Sequence, residues 1–569
     1  MNHSSFHSRI IVVSIFVLIF AFVLVGKLFL VQIIDKKVYL KEADKLFISG
    51  AGDKFDRGDI FFSKKDGTLV AAGTVTSGFK LSIIPDKVLD KELTFNTLKP
   101  YLTIDYDTYI KRASKMDDPY EELAVRLTNE QANEIKAFNL PGVSISPDSW
   151  RFYPGSTLAS HTLGFLAYKG NDKVGQYGLE RFYEDILSKS KDQVYVNFFA
   201  EVFSSIKDRV LNVKKQGDIV TSIEPGTQST LEIELGEAFS KWNADSAGGI
   251  IMNPQTGEIY AIAGFPNFDL NEFGKVEDVG IYRNIMVEDV LEFGSVIKPL
   301  VMAAALDARA VNPETTYLDN GFVTVDKKVI NNFDKKGRGV VDMQTVLDQS
   351  LNTGMVFAEK KLGNDKFRTY MKSYGIGDKT GIDLPNETKG LITNLDSPRD
   401  LEYANASFGQ GIALTPLEAV RAFSIIANGG NMMTPHLIKQ IRYDDGTSEI
   451  IKPIIQSSGI INKETSETIT RMLSHVYEAY DGGAHKFEHY TVAAKTGTAQ
   501  VAMDNGKGYY LDRHTHSFFG YFPAYDPQFI VFLFLKNPKG VEYAAQSLIP
   551  HFMNITKFLL NYYNVAPDR

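Results

Sequence analysis

Apolar and polar positions follow three different rhythms along this chain. The first is an unbroken apolar run. "IIVVSIFVLIFAFVLVG", Ile10 to Gly26, has only Ser14 as a polar residue, and "LFLVQII" resumes the run after Lys27. A bilayer core takes about 20 apolar residues as a helix. Residues 10–34 therefore predict a single transmembrane anchor behind a short tail, 1–9. A cleaved signal peptide would carry an apolar region of about 7–15 residues with a small-residue site close behind; neither is present. No later segment is long and apolar enough to span. Arg9 precedes the span, and Lys27, Lys36 and Lys37 follow it. The basic residues alone do not orient it, because long domains translocate regardless of local charge.

The second rhythm, from 38 to 215, alternates short apolar runs with charged stretches. It has few long helical patterns, and "KKDG" at 64–67 and "YPGS" at 153–156 are turn signals. This predicts an irregular, mixed α/β region. The third rhythm, from 216 to 569, is regular. "TQSTLEIELGEAF" has helical spacing, and "AGGIIMNPQTGEIYAIAG" at 247–264 reads as two strands around the turn "NPQTG". Helical patterns follow at 295–308, 341–362 and 415–429. "HSFFGYFPAYDPQFIVFLFLKN" reads as two apolar strands around a Pro-containing turn, and a last helix lies near 543–563. A strand pair, then helices, then strands predict an α/β (α+β) fold with an antiparallel sheet flanked by helices.

Composition narrows the chemistry. The 569 residues leave room for about two to four domains. At 44% hydrophobic and 23% charged the chain has an ordinary globular composition, and a net charge of −8 gives no basic patch for nucleic acid. With no cysteine there is no disulfide, thiolate metal site or cysteine nucleophile. The ten histidines show no metal-ligand spacing; "HTH" at His514 to His516 comes nearest. No metal and no cofactor is expected.

Within "LEFGSVIKPLVMAAALD", 291–307, Ser295 stands three positions before Lys298. Ser-x-x-Lys also occurs at Ser77, Ser188 and Ser204, where a solvated pair is the ordinary reading. The context of Ser295 differs. Pro299 is tolerated only in a first helical turn, so a helix starts close to Ser295. Its hydroxyl is then at a positive helix end, with Lys298 one turn on among apolar residues. Burial disfavours the charged form of a lysine and makes it a base near neutral pH. A serine that attacks a carbonyl also needs a proton route, oxyanion donors and a cation for any substrate carboxylate. Candidates stand in "LDQSLNTGMVF", with Ser350 and Asn352, and in "TVAAKTGTAQV", with Lys495, Thr496, Gly497 and Thr498. A second Lys-Thr-Gly, at Lys379 in "DKTGIDLP", sits in a turn-rich setting. Lys495 lies in a β-prone apolar run, where Gly497 would let a substrate backbone approach closely, and it is the expected functional copy.

Ser-x-x-Lys, Ser-x-Asn and Lys-Thr-Gly in this order resemble the signature of penicillin-binding proteins and serine β-lactamases. The resemblance extends over nearly the whole chain. "FDRGDIFFSKKDGTLVA" at 55–71, "RFYPGSTLASHTLGFLA" at 151–167 and "GQYGLERFYEDIL" at 175–187 are similar to boxes of the class B pedestal domain. "YGIGDKTGIDLPNETKG" at 374–390, "FGQGIALTPLEAVRAF" at 408–423 and "HSFFGYFPAYDPQ" resemble transpeptidase motifs outside the reaction centre. There are departures: "FFSKKDG" follows the first box, "SIEPGTQ" precedes the catalytic region, Glu418 stands where Gln is usual, and Phe293 replaces the Pro of Pro-Gly-Ser. None removes a catalytic group.

The resemblance implies a pedestal (dimerisation-type) domain over 38–215 and a transpeptidase domain over 216–569, extracytoplasmic and held to the plasma membrane by the single anchor. It implies a D,D-transpeptidase that crosslinks peptidoglycan stem peptides through a Ser295 acyl-enzyme and is the target of β-lactams, more in keeping with septal than side-wall synthesis. In it Lys298 is the base, Ser350 the proton relay and Asn352 the holder of Lys298 and the substrate amide. Lys495, Thr496 and Thr498 bind the terminal carboxylate, and the Ser295 and Thr498 N–H groups form the oxyanion hole. The implied partners are a polytopic glycan polymerase and division or elongation proteins. Competing readings are an elongation-type enzyme, a D,D-carboxypeptidase or β-lactamase, and a non-catalytic β-lactam sensor. No acidic box of a glycosyltransferase domain is present in the pedestal region, and no Glu-x-x-Leu-Asn box supplies a deacylating glutamate.

Overall fold

The computed structural model describes residues 55–115, 118–170, 172–189, 215–503 and 508–569, together with Phe20. The expected anchor, 10–34, lies outside the described residues, apart from Phe20, as does Ser204. Among the described residues no helix is long and apolar enough to cross a membrane.

The chain forms two compact units. One holds Val75–Trp150 of the described chain, with residues 55 and 56; the other holds Arg57–Thr74 and Arg151–Arg569. In the first unit the end of one strand, Phe79–Ile83, pairs antiparallel with Glu121–Leu127. Three short helices, Lys91–Leu98, Tyr106–Ala113 and Asn129–Ala137, begin at Asp90, Asp105 and Thr128, whose side chains accept backbone N–H groups of the first turn. Leu81, Ile83, Phe95, Leu98, Tyr109, Leu123 and Ile135 make its core.

The second unit takes in segments on either side of the first. Strand Ile60–Ser63 pairs antiparallel with 69–73 and parallel with the strand Gly217–Thr221. Arg57 and Arg151 share the buried carboxylate of Glu180, at 2.6 Å each. These contacts draw 57–74 and 151–189 into the same unit as a five-stranded sheet.

That sheet follows the elements α1 (Pro225–Lys241), β1 (Ser246–Met252) and β2 (Ile259–Phe265). The helical layer follows: α2 (Lys298–Asp307), α3 (Asn352–Leu362), α4 (Pro416–Ala427) and α5 (Lys463–Ala479). The chain closes with β3 (Ala493–Ala502), β4 (Tyr509–Phe522), β5 (Phe529–Lys536) and α6 (Ala544–Tyr562). The strand order is β3-β4-β5-β1-β2, antiparallel throughout. The expected antiparallel sheet flanked by helices is present.

The run "FIVFLFLK" of β5 shows why apolar residues there do not alternate with polar ones. Successive side chains point to opposite faces. Phe529, Val531, Leu533 and Leu535 pack with Leu231 and Leu235 of α1 and Leu548, Phe552 and Ile555 of α6. Ile530, Phe532 and Phe534 face the other way, into the core that contains Phe293, Val296 and α4. A sheet covered on both faces needs a continuous apolar strand. Phe423 of α4 stacks on Phe519 of β4, centroids 4.1 Å apart. In α2 every residue from Lys298 to Ala305 is buried, so this helix has no polar face.

The pattern over 341–362 predicted one helix, and the structure divides it. Strand Gly339–Asp342 comes first; Asp342 then caps a short helix, Met343–Asp348, by accepting the Thr345 N–H at 2.8 Å. Ser350 has φ +52°, and α3 starts at Asn352. A left-handed residue cannot continue a right-handed helix, and apolar periodicity does not register that break.

Candidate active site

Ser295 lies in a 3₁₀ turn, Gly294–Ile297, that runs directly into α2. The turn exists because Gly294 takes φ +65°, open to glycine at no steric cost. A side chain there would also stand 3.0 Å from the carbonyl oxygen of Thr498. Gly497 answers it from β3, where a Cβ would lie 2.3 Å from the Phe293 carbonyl oxygen and 2.5 Å from Ser517 Oγ. The space a side chain would take at Gly497 is thus filled by the chain's own backbone and Ser517. Ser517, which sequence reasoning missed, donates its hydroxyl to the Phe293 carbonyl at 2.8 Å. Together these contacts seat the Ser295 turn on the Lys495 strand.

Lys298 is wholly buried. Its Nζ donates to the Ser350 carbonyl oxygen at 2.7 Å, Ser350 Oγ at 3.1 Å and Asn352 Oδ1 at 2.8 Å. The left-handed turn at Ser350 lets its carbonyl, its hydroxyl and the Asn352 amide converge on one ammonium. Lys495 Nζ reaches the same Ser350 Oγ at 3.1 Å, and its own neighbour's carbonyl, Thr496 O, at 3.2 Å. An ammonium has three hydrogens, so Lys495 keeps one uncommitted. Burial pulls Lys298 well below the ordinary lysine range, and the charge of Lys495 adds to this. Burial lowers Lys495 to about 7, with Asp348 acting in the opposite sense. Lys298, Ser350, Asn352 and Lys495 are therefore brought together by hydrogen bonds. Ser295 is placed by its turn; its hydroxyl takes no hydrogen-bond partner among the described residues.

Beyond these groups lies support that no sequence motif signalled. Asn352 Nδ2 donates to the Asn331 carbonyl at 3.0 Å. Thr353 is bonded to Asp319 at 2.8 Å, and Asp319 also accepts from Asn332 and the Gly321 N–H. Glu292, three residues before Ser295, accepts from the Gly411 N–H and the Tyr509 hydroxyl, both at 3.1 Å. Burial raises its carboxyl to about 7.

Strand β3 is an edge of the sheet, so alternate N–H groups face away from β4. Thr496 N–H donates to the Tyr480 hydroxyl at 3.0 Å rather than to β4. By the two-residue period of a strand, Thr498 N–H faces the same edge. Thr498 Oγ1 accepts the first N–H of α6, from Ala544, at 3.3 Å.

The second Lys-Thr-Gly occupies a different place. Lys379 is exposed in a loop. Arg421 of α4, almost fully buried, donates to the carbonyl oxygens of Gly375, Asp378 and Lys379. Glu418 accepts the N–H groups of Gly377, Gly390 and Thr415. All three partners are donors, so a carboxylate serves at this position. Ser77 and Ser188 do not join the lysine cluster. His516 is buried against Ser547 Oγ at 2.8 Å. A group of possible metal ligands among the described residues, Glu234, Glu237 and His551, lies between α1 and α6, where His551 Nδ1 meets Glu234 Oε2 at 2.7 Å.

Residues 247–555 match the penicillin-binding protein transpeptidase domain, and residues 55–217 match the penicillin-binding protein dimerisation domain. Stage V sporulation protein D of Bacillus subtilis is 32% identical over 525 residues, covering 90% of this chain and 79% of that protein. A peptidoglycan D,D-transpeptidase FtsI of Buchnera aphidicola is 27% identical, covering 78% of this chain and 76% of that protein. Two solved structures share the fold. Penicillin Binding Protein 2X of Streptococcus thermophilus has a TM-score of 0.71 at 21% identity, over 90% of this chain and 79% of that one. Penicillin binding protein 3 of Mycobacterium tuberculosis, complexed with aztreonam, has 0.65 at 24%, over 74% of this chain and 92% of that one. The chain belongs to the class B penicillin-binding proteins, the serine-type D-Ala-D-Ala transpeptidases of peptidoglycan.

Proposed function

We propose that this chain crosslinks peptidoglycan stem peptides in septal wall synthesis, with Ser295 as the nucleophile. Lys298, neutral in its buried setting, takes the Ser295 proton as the hydroxyl oxygen bonds to the penultimate D-Ala carbonyl carbon. The oxyanion forms between the Ser295 and Thr498 N–H groups. Ser350 passes a proton to the leaving nitrogen, the C–N bond breaks, and free D-Ala departs from an acyl-enzyme. The amine of a neighbouring stem peptide then attacks the ester carbon and gives up a proton along the reverse route, and Ser295 is released. Lys495, Thr496 and Thr498 hold the donor's terminal carboxylate. A β-lactam enters the same path as an acyl donor whose leaving amine remains attached.

The observation that carries this reading is the Ser350 hydroxyl between two buried lysines. Once Lys298 has taken the Ser295 proton, this hydroxyl accepts from both ammoniums, which leaves its own hydrogen to be passed on. A pedestal over 38–215, a transpeptidase domain over 216–569, the anchor at 10–34 with the catalytic part outside the plasma membrane, and a membrane-embedded glycan polymerase as partner belong to the same proposal. The relatives named above, one of them named a peptidoglycan D,D-transpeptidase, support the crosslinking reaction.

Fluorescent penicillin should label the wild type and not Ser295→Ala, and mass spectrometry should place the adduct on Ser295. An adduct on another serine overturns the assignment. Crosslinked rather than hydrolysed product from paired stem peptides separates transpeptidation from carboxypeptidase or β-lactamase action. A fluorescent fusion at the side wall instead of the septum overturns the septal role.

A further inference from the structure

Tyr480 is absent from the three motifs, yet it makes two polar contacts with one of their residues. It closes α5 as the residue after Ala479 and packs edge-on against Tyr477, centroids 6.4 Å apart. Its hydroxyl meets Thr496 N at 3.0 Å and Thr496 Oγ1 at 3.0 Å. The chain leaves Tyr480 through Asp481, Gly482 and Gly483, all at positive φ. The loop that follows is tied down again, where Asp568 Oδ1 accepts the Thr491 N–H at 2.7 Å and Lys486 pairs with Glu478 at 3.1 Å. The phenol is thus held against the β3 edge from both sides of its loop.

The backbone contact fixes one proton of this pair, and relative acidity favours one arrangement of the other. A backbone N–H only donates, so the phenol oxygen accepts from Thr496 N. A phenol is a stronger acid than an alkyl hydroxyl and the better donor of the pair. Its hydrogen goes to Thr496 Oγ1. The Thr496 hydroxyl hydrogen is then free, and its oxygen is pinned in direction. Along the same edge the Thr498 N–H is open, while the position of the Thr496 N–H is closed by Tyr480.

We propose that Tyr480 is a positioning residue that marks the end of the acyl-donor site and selects donors with a free terminal carboxylate. Resting on the reading that Thr496 binds that carboxylate, the inference has two parts. A donor laid along the β3 edge can pair at Thr498 and must stop at Thr496, because the next backbone donor is taken. The group that ends there meets a threonine hydroxyl whose hydrogen is uncommitted, and Lys495 of the same strand also keeps one hydrogen uncommitted. An anionic carboxylate fits this pair of donors; a neutral ester leaves them poorly matched.

The test compares acylation rates for benzylpenicillin and for its methyl ester within the same protein sample, so that the folded fraction cancels. Tyr480→Phe keeps the ring and removes the hydroxyl. It should lower the rate with the free acid about tenfold, as for a lost hydrogen bond to a charged group, and change the ester rate less than about twofold. A parallel fall for both, or no fall for the acid, overturns the inference. A second measurement reads the same ratio. In a Thr496→Val background, adding Tyr480→Phe should leave the acid-to-ester ratio unchanged, because the phenol orients the carboxylate-binding hydrogen through the Thr496 hydroxyl; a further fall in that ratio overturns this route. If the wild type itself takes no adduct at Ser295, the underlying reading fails; if it does and the acid-to-ester ratio stays fixed, only the role of Tyr480 fails.

Discussion

Lys298 and Lys495 are chemically the same residue given opposite work by their surroundings. Both are buried, but Lys298 is committed to Ser350 and Asn352 and carries the stronger downward push, while Lys495 is supported by Asp348. The proposed mechanism requires Lys298 neutral and Lys495 charged. The second-order acylation rate should therefore rise with pH as Lys298 loses its proton and fall again as Lys495 loses its own near 7; the two limbs belong to the coupled pair. Lys495→Arg keeps a charge at all working pH values, so its alkaline limb should move upward. An unmoved limb shows that Lys495 does not set it. Lys298→Met should slow acylation by about 10²–10⁴-fold, the usual scale of a general base, measured by stopped-flow with a chromogenic cephalosporin. Lys379→Ala should leave that rate unchanged, because Lys379 stands exposed in a loop held by its backbone.

At the scale of elements, the site depends on how closely the 294–297 turn sits on β3. The fit is made by absent atoms. A Cβ at Gly497 would press on the Phe293 carbonyl and on Ser517 Oγ, and neither a backbone carbonyl nor a buried serine in a strand gives way without moving its element. Gly497→Ala should therefore separate the turn from the strand. A misplacement of about 1 Å costs roughly a hundredfold in rate, so acylation should fall by about that factor in a protein that still melts cooperatively. Near wild-type acylation would mean that the turn and strand adjust together. The division of 341–362 acts in the same way, because the left-handed Ser350 aims carbonyl, hydroxyl and the Asn352 side chain at one point that a continuous helix would spread along its axis.

At the scale of the whole molecule, a buried charge network ties distant segments of one unit together. Glu180 receives Arg57 at 2.6 Å, Arg151 at 2.6 Å and the Tyr153 hydroxyl at 3.1 Å. Burial alone would raise its carboxyl, but the two guanidiniums hold it below the ordinary value. Glu180→Ala leaves two buried cations without their shared partner and should destabilise the unit by about 3–5 kcal/mol, read from urea unfolding. A loss under about 1 kcal/mol would show that water or Glu184 replaces it. A depressed carboxyl stabilises above its unfolded value and loses this as pH falls through the folded one. The Glu180 contribution should accordingly be complete above about pH 5 and fade below about pH 4, and Glu180→Ala should flatten that part of the acid unfolding curve.

Much of this architecture was legible as pattern. The uninterrupted run in β5, the two strands around "NPQTG" and the helical spacing of α1, α4 and α6 follow from period two or period 3.6, which are local properties of the backbone. The order of Ser-x-x-Lys, Ser-x-Asn and Lys-Thr-Gly pointed to one chemistry because three weak signals in sequence order rarely coincide. Tertiary structure alone decided the rest. It broke 341–362 at Ser350. It brought Tyr480 to Thr496 and Ser517 to Phe293, and it drew 57–74 and 151–189 into the same compact unit as the five-stranded sheet. The physical reason is common to all of these. Periodicity records which side of an element is buried, whereas a hydrogen bond, a shared charge or a missing Cβ acts between segments far apart in the chain, and only the folded packing gives them a distance.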